Sequence, residues 1–278
     1  ERLARPMDAF EAAERVLRLS EHDPRAISAL RRLLSHPETK ERAADVLATE
    51  YAATGDSRQE ADALAQLLAA AAGASERRAL YERLCDVQEL KLASFNAALD
   101  VMLRALREFP SDTALWHRAE SLAGSANRPT DLAEAYRDAL RAELPGSVEL
   151  ELCEQAARLH EERLGDPVGA SPYLERVLVR DPGNERAFTR LKQILTGAER
   201  WAELEALYDR AAAATDDPVL KTEMLAEVAL VCEEIIEDPA KATRSYERIL
   251  EVDPNHEGAL MALDRLYEQQ GRHKDLAA

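Results

Sequence analysis

Apolar residues recur along the chain at intervals of three and four. Leu225, Val228, Cys232 and Ile235 step by three, four and three, and Trp201, Leu204, Tyr208 and Ala211 follow a similar rule. That spacing lines one face of a helix of 3.6 residues per turn, whereas the period-two alternation of a half-buried strand is absent. The pattern predicts four helices where it is cleanest: A from Asn184 to Thr196, B from Glu199 to Ala214, A′ from Asp217 to Glu237 and B′ from Pro239 to Glu251.

The four helices form a repeating block. Asp181-Pro182 returns as Asp253-Pro254, Asp166-Pro167 as Asp238-Pro239, and ERVL from Glu175 as ERIL from Glu247, each 72 residues on. Seventy-two residues earlier, Pro182, Leu204, Tyr208 and Arg190 fall on Pro110, Leu132, Tyr136 and Arg118. Three steps carry Leu47, Tyr51 and Gly55 onto Leu263, Tyr267 and Gly271. The register predicts one continuous array over residues 1–278 of about seven hairpins, with units near 22–93, 94–165 and 166–237 and a partial one at 238–278. Each hairpin is too small to bury its own apolar stripe, so stacking on neighbours must complete the core. At the corners, Pro suits the first turn of a helix and the preceding Asp can cap it, so Asp-Pro reads as stop and restart. Gly55 and Gly271, each four residues past a Tyr, suit the left-handed position that closes a helix.

These residues resemble the tetratricopeptide repeat family. Leu263, Tyr267 and Gly271 match the first half of its pattern, and Ala242, Tyr246, Ile249-Leu250 and Pro254 match the second. Asp264 and Lys192 stand where the family has a small residue, and His36-Pro37 replaces an Asp-Pro corner in the first unit. The resemblance implies an all-α fold, an α-solenoid in which stacked antiparallel hairpins wind into a right-handed superhelix. It places A-type helices inside and B-type helices outside, and makes the concave face the binding surface for a protein or peptide.

Composition narrows the partner. With 53 acidic against 36 basic side chains, a net charge of −17 would repel a phosphate backbone and anionic lipid, so neither nucleic acid nor a membrane surface is expected as a partner. The apolar run Ala63 to Ala74 is too short to span a bilayer, which needs roughly 20 apolar residues. Cys85, Cys153 and Cys232 are odd in number and widely spaced, which fits a reducing, cytoplasmic setting and suggests neither a disulfide framework nor a zinc site. They border apolar stripes and read as small buried hydrophobes. The chain starts without Met and stops inside a helical pattern, so it reads as part of a longer protein.

Chemistry finds little foothold. His22, His36, His117, His160, His256 and His273 are scattered, and no set converges with the three or four ligands a metal needs. No phosphate loop is present, and Gly124-Ser125 lacks the context of a nucleophile elbow. The expectation is a protein without enzymatic activity, cofactor or metal. Tyr136, Tyr208, Tyr246 and Trp201 read as core rather than as a ligand stripe.

Charge patterning carries the functional expectation. Glu223, Glu227 and Glu234 recur on one face of A′, with Glu151, Gln155 and Glu162 one unit earlier, and a ladder of Glu89, Glu161 and Glu233 runs through three units. A-type helices offer Arg118, Arg186, Arg190 and Arg265. By the resemblance these form a mixed-charge concave groove that grips a segment of another protein. The competing reading is that neighbouring helices pair these charges with one another, each exposed pair being worth about 0–1 kcal/mol. Two further expectations are a regulatory or substrate-recruiting arm of a larger enzyme, and head-to-tail self-association through Leu3, Phe10 and Leu17 at one end and Leu260, Leu263 and Leu276 at the other.

Overall fold

The computed structural model describes residues 5–270. The chain forms two compact units, Glu1–Leu144 and Pro145–Ala278. In the first, α1 (Pro6–Leu19), α2 (Pro24–Leu33), α3 (Lys40–Thr54), α4 (Ser57–Ala70), α5 (Ala74–Asp86), α6 (Phe95–Glu108), α7 (Thr113–Ser125) and α8 (Pro129–Ala139) follow one another as packed neighbours. The second holds α9 (Gly146–Leu159), α10 (Pro167–Arg180), α11 (Glu185–Gly197), α12 (Trp201–Ala214), α13 (Pro218–Leu230), α14 (Pro239–Val252) and α15 (Glu257–Gln269). No strand occurs among the described residues. The expected A, B, A′ and B′ helices are α11 to α14, with bounds close to those read from the periodicity.

The apolar stripes meet between helices. In the first unit Leu30, Leu47, Leu64, Leu99, Met102 and Leu132 are fully buried, and Trp116 stacks on Tyr136 with centroids 4.5 Å apart. In the second, Leu152, Leu191, Leu204, Leu225 and Ile249 do the same work. Each such side chain contributes about 1.5–3 kcal/mol by leaving water. All three cysteines lie in these cores.

The helix ends repeat as faithfully as the cores. Asp112, Asn184 and His256, spaced by 72 residues, cap α7, α11 and α15 by accepting the backbone N–H three residues on. Asp166, Asp217 and Asp238 cap α10, α13 and α14, each ahead of a Pro at the first position. Asp-Pro therefore has two uses. At Asp166 and Asp238 it caps and restarts a helix as expected, but Asp181 and Asp253 follow the last turn of α10 and α14, and capping passes three residues downstream. Gly55 takes φ 75° at the end of α3, as its place after Tyr51 predicts, and the equivalent Asn127 and Glu199 adopt the same left-handed conformation. Gly271 lies outside the described residues.

One feature is absent from the sequence pattern. Each A′ helix, α5, α9 and α13, runs into a π-helical turn: Val87–Lys91, His160–Leu164 and Val231–Ile235. Each turn closes with a left-handed residue, Ala93, Gly165 or Glu237. The next N–H then reaches back six residues, from Ser94 to Gln88, Asp166 to His160 and Asp238 to Cys232, at 2.7, 2.9 and 2.8 Å. Such a six-residue return bond satisfies a carbonyl that the helix end would otherwise orphan. The turn accounts for the greater length of A′: α5 has 13 residues before a five-residue turn, whereas α7 has 13 in all.

Candidate protein-interaction face

The π turns aim a carboxylate at the following A helix. Glu89, in the first, receives Arg118 of α7 at 2.9 Å, and the same guanidinium reaches Asp86 at 2.5 Å. Glu161 receives Arg190 of α11 at 2.5 Å, and Glu233 receives Arg265 of α15 at 2.5 Å. Arg118 and Arg190 are repeat-equivalent, whereas the third equivalent position is Ala262 and Arg265, one turn further along α15, serves instead. Burial opposes the charge on Arg118, but its bonds to Glu89 and Asp86 outweigh that and hold its pKa above the ordinary arginine value.

The other predicted site residues divide. Glu151 accepts from Gln155 at 3.1 Å. Glu227 accepts from the Tyr208 hydroxyl at 3.2 Å and lies 3.7 Å from Lys192, whose ammonium sits 5.3 Å from the Tyr208 ring centroid. This gives a physical role to Lys192, which stands where the family pattern has a small residue. Glu162, Arg186, Glu223 and Glu234 are exposed and form no ion pair among the described residues. The elements thus bring together Arg118, Arg190 and Arg265 with the Glu89, Glu161 and Glu233 ladder, but leave Glu223 and Glu234 facing solvent.

Two buried carboxylates escaped the sequence reading. Glu149, on α9, is 3% exposed and is clasped by Arg176 and by Arg180 of α10, the latter at 2.6 Å. Burial alone would raise its pKa, yet the two guanidiniums hold it below the usual carboxylate range. Glu60, 5% exposed on α4, receives Lys91 at 2.7 Å. The signal for the first was available: 72 residues before Glu149 and Arg180 stand Arg77 and Glu108, an opposite-charge pair with signs exchanged.

The remaining candidates resolve simply. His256 caps α15 and His22 Nδ1 lies 2.8 Å from Glu50, while His273 falls outside the described residues. His160 packs against Tyr173, and its ring and the Asp166 carboxylate fill the space that a Cβ at Gly169 would need. Burial pushes each of the three thiols up to about 11. No group of His, Cys, Asp and Glu among the described residues has the geometry to hold a metal ion, and no described helix is long and apolar enough to cross a membrane. Phe10, Leu17 and Leu263, expected as open apolar ends, are buried by neighbouring helices, and Arg42 lies over the Phe10 ring at 4.4 Å. Leu260 remains half exposed beside Met261, and Leu3 and Leu276 lie outside the described residues.

No family model and no curated protein matches the chain. Among solved structures it is similar to the C-terminal part of a TPR repeat-containing protein from Cytophaga hutchinsonii, at 14% identity over 91% of this chain and 99% of that one, with a TM-score of 0.32. It is also similar to YrrB, a TPR protein with an unusual peptide-binding site, at 17% identity over 68% of this chain and 92% of that one, with a TM-score of 0.32. A third is PilF of Pseudomonas aeruginosa, at 13% identity over 84% and 99% of the two chains, with a TM-score of 0.33. The architecture rests on the hairpins themselves, whose Ala242, Tyr246 and Leu263 are buried and whose Pro254 lies in the turn between α14 and α15, at the positions the family pattern assigns. The fold is tetratricopeptide-like.

Proposed function

We propose that the chain is a non-enzymatic interaction scaffold whose A and A′ helices present a binding surface for another protein. One observation carries the reading: Glu223 and Glu234 are exposed and left open by the ion-pair network, and between them Glu227 stays half exposed although it lies 3.7 Å from Lys192. Carboxylates so placed can accept bidentate bonds from arginine or single bonds from lysine. The partner is therefore a basic segment, bound on a preformed surface that loses little entropy on ordering. Arg118, Arg190 and Arg265, tied to their own carboxylates, hold helices in register, and Arg186 is the arginine of this set open to an acidic residue of the partner.

The test is affinity capture from lysate with the parent protein and a Glu223→Lys/Glu227→Lys variant, read by mass spectrometry beside thermal melts of both. A protein retained by the parent and lost by the equally stable variant supports the reading. Identical captures from the two would remove this face from the function.

A further inference from the structure

We propose a second docking site, on the opposite class of helices: the groove between α6 and α8 takes a partner helix with an apolar ridge between an acidic flank and a basic flank. The groove has a volume of about 530 Å³. Its floor is Leu103, Leu106, Pro110, Ala135 and Ala139, and its two rims carry opposite charge. Arg104 and Arg107 rise from α6, and Glu134 and Asp138 from α8. No ion pair crosses between these rims among the described residues. Arg104 turns to the backbone carbonyl of Asp100 at 3.3 Å, and Glu134 and Asp138 meet only Arg137 and Arg141 of their own surface, at 3.6 and 2.9 Å. Arg107 makes no hydrogen bond or ion pair among the described residues. At one end Arg128 joins Asp100 of α6 to Asp131 of α8 and closes the groove.

The repeat supplies an internal control. The groove between α10 and α12, 72 residues on, has only about 200 Å³. There Leu207 replaces Ala135, and Arg210 approaches Glu175 to 3.7 Å across the opening. A large side chain and a cross-groove pair narrow the second copy, whereas alanines and unbridged charges keep the first open. An open cleft with an apolar floor and rims of opposite sign complements an amphipathic helix whose flanks carry the opposite charges: its acidic flank would pair with Arg104 and Arg107, and its basic flank would share Glu134 and Asp138 with the exposed Arg137 and Arg141.

The test uses three synthetic helical peptides of about 15 residues, roughly 22 Å long. All share a Leu/Ala ridge, and the flanks are Glu on one side and Lys on the other, Glu on both, or Lys on both. Fluorescence anisotropy should show the mixed peptide binding about tenfold more tightly than either single-sign peptide. Arg104→Glu/Arg107→Glu should transfer that preference to the all-Lys peptide, and Ala139→Trp should remove binding of all three. Helix content by circular dichroism is measured for each variant, and Ala142→Trp at the open end serves as a second blocking variant should Ala139→Trp fail to fold. Equal affinity for the three peptides, or mixed-peptide binding that survives a folded blocking variant, overturns the proposal. So does a concentration-dependent mass lost in the blocked variant, which would make the occupant a second copy of this chain.

Discussion

Arg77 and Glu108 join α5 to α6; 72 residues further on Glu149 and Arg180 join α9 to α10, with the charges exchanged. In the first pair the guanidinium also donates to the carbonyls of Leu68 and Ala71 at the end of α4, while Glu108 takes the Tyr81 hydroxyl at 2.5 Å. In the second the carboxylate is the buried member, and Arg176 and Arg180 share it. The repeat therefore preserves the place of a pair and lets its polarity drift, as expected if the pair's task is to hold two helices in register. The aromatic core drifts similarly. Trp116 lies flat on Tyr136, whereas at the equivalent positions Phe188 meets Tyr208 edge-on at 5.4 Å and is only partly buried.

The largest effect separates those aromatics. Trp116→Ala should cost about 3–5 kcal/mol in urea unfolding, and Phe188→Ala clearly less, because only the first empties a closed site. Equal losses would dissolve the contrast. Next comes Glu149→Gln, which leaves two arginines without their carboxylate and should cost about 1–3 kcal/mol at pH 7. Arg77 holds Glu108 below the ordinary carboxylate pKa by hydrogen bonding, and Glu149 is lowered in spite of its burial. A depressed carboxylate contributes stability above its unfolded pKa, and that contribution is lost as pH falls through the folded value. Acid destabilisation should therefore set in below about pH 4 and be shallower in Glu149→Gln. An unchanged acid limb would place the titrating groups elsewhere.

The smallest effects test the backbone repeat. Glu199 and Glu237 hold φ of 54° and 56°, where Gly55 and Gly165 stand at equivalent positions. A left-handed conformation costs a residue with a Cβ about 1–2 kcal/mol, so Glu199→Gly and Glu237→Gly should each raise stability by somewhat less than that, once chain entropy is repaid. A fall in the melting temperature of either would mean that the side chain, not the backbone, is what the site requires. The thiols should remain unreactive toward iodoacetamide in native protein at pH 8 and react only on unfolding, because burial keeps all three protonated.

Much of the fold was legible because two independent periods coincide. The three-and-four spacing predicts helices, and the 72-residue register predicts that Tyr136 and Tyr208, or Leu132 and Leu204, play one role twice, and all four are buried. The π turns were not legible. The sequences VQELK, HEERL and VCEEI share no composition that distinguishes them from ordinary helix, and the turn arises from the six-residue bond that follows. The Glu89, Glu161 and Glu233 ladder was visible as a repeat, but its partners were not. Whether a carboxylate meets an arginine or faces solvent depends on the tilt of the next helix, which separates Glu233, paired with Arg265, from its neighbour Glu234. Glu149 was missed because buried charge betrays itself only through a partner of opposite sign, and that partner lies on the next helix.

The most direct test of the register argument is to impose on the first unit the polarity of the second. In urea unfolding, Arg77→Glu and Glu108→Arg should each lose about 1 kcal/mol, and the double exchange should recover at least half of the summed loss. A double variant as unstable as the two single losses added together would contradict it, because the pair would then depend on its polarity and the 72-residue equivalence would extend to the backbone alone.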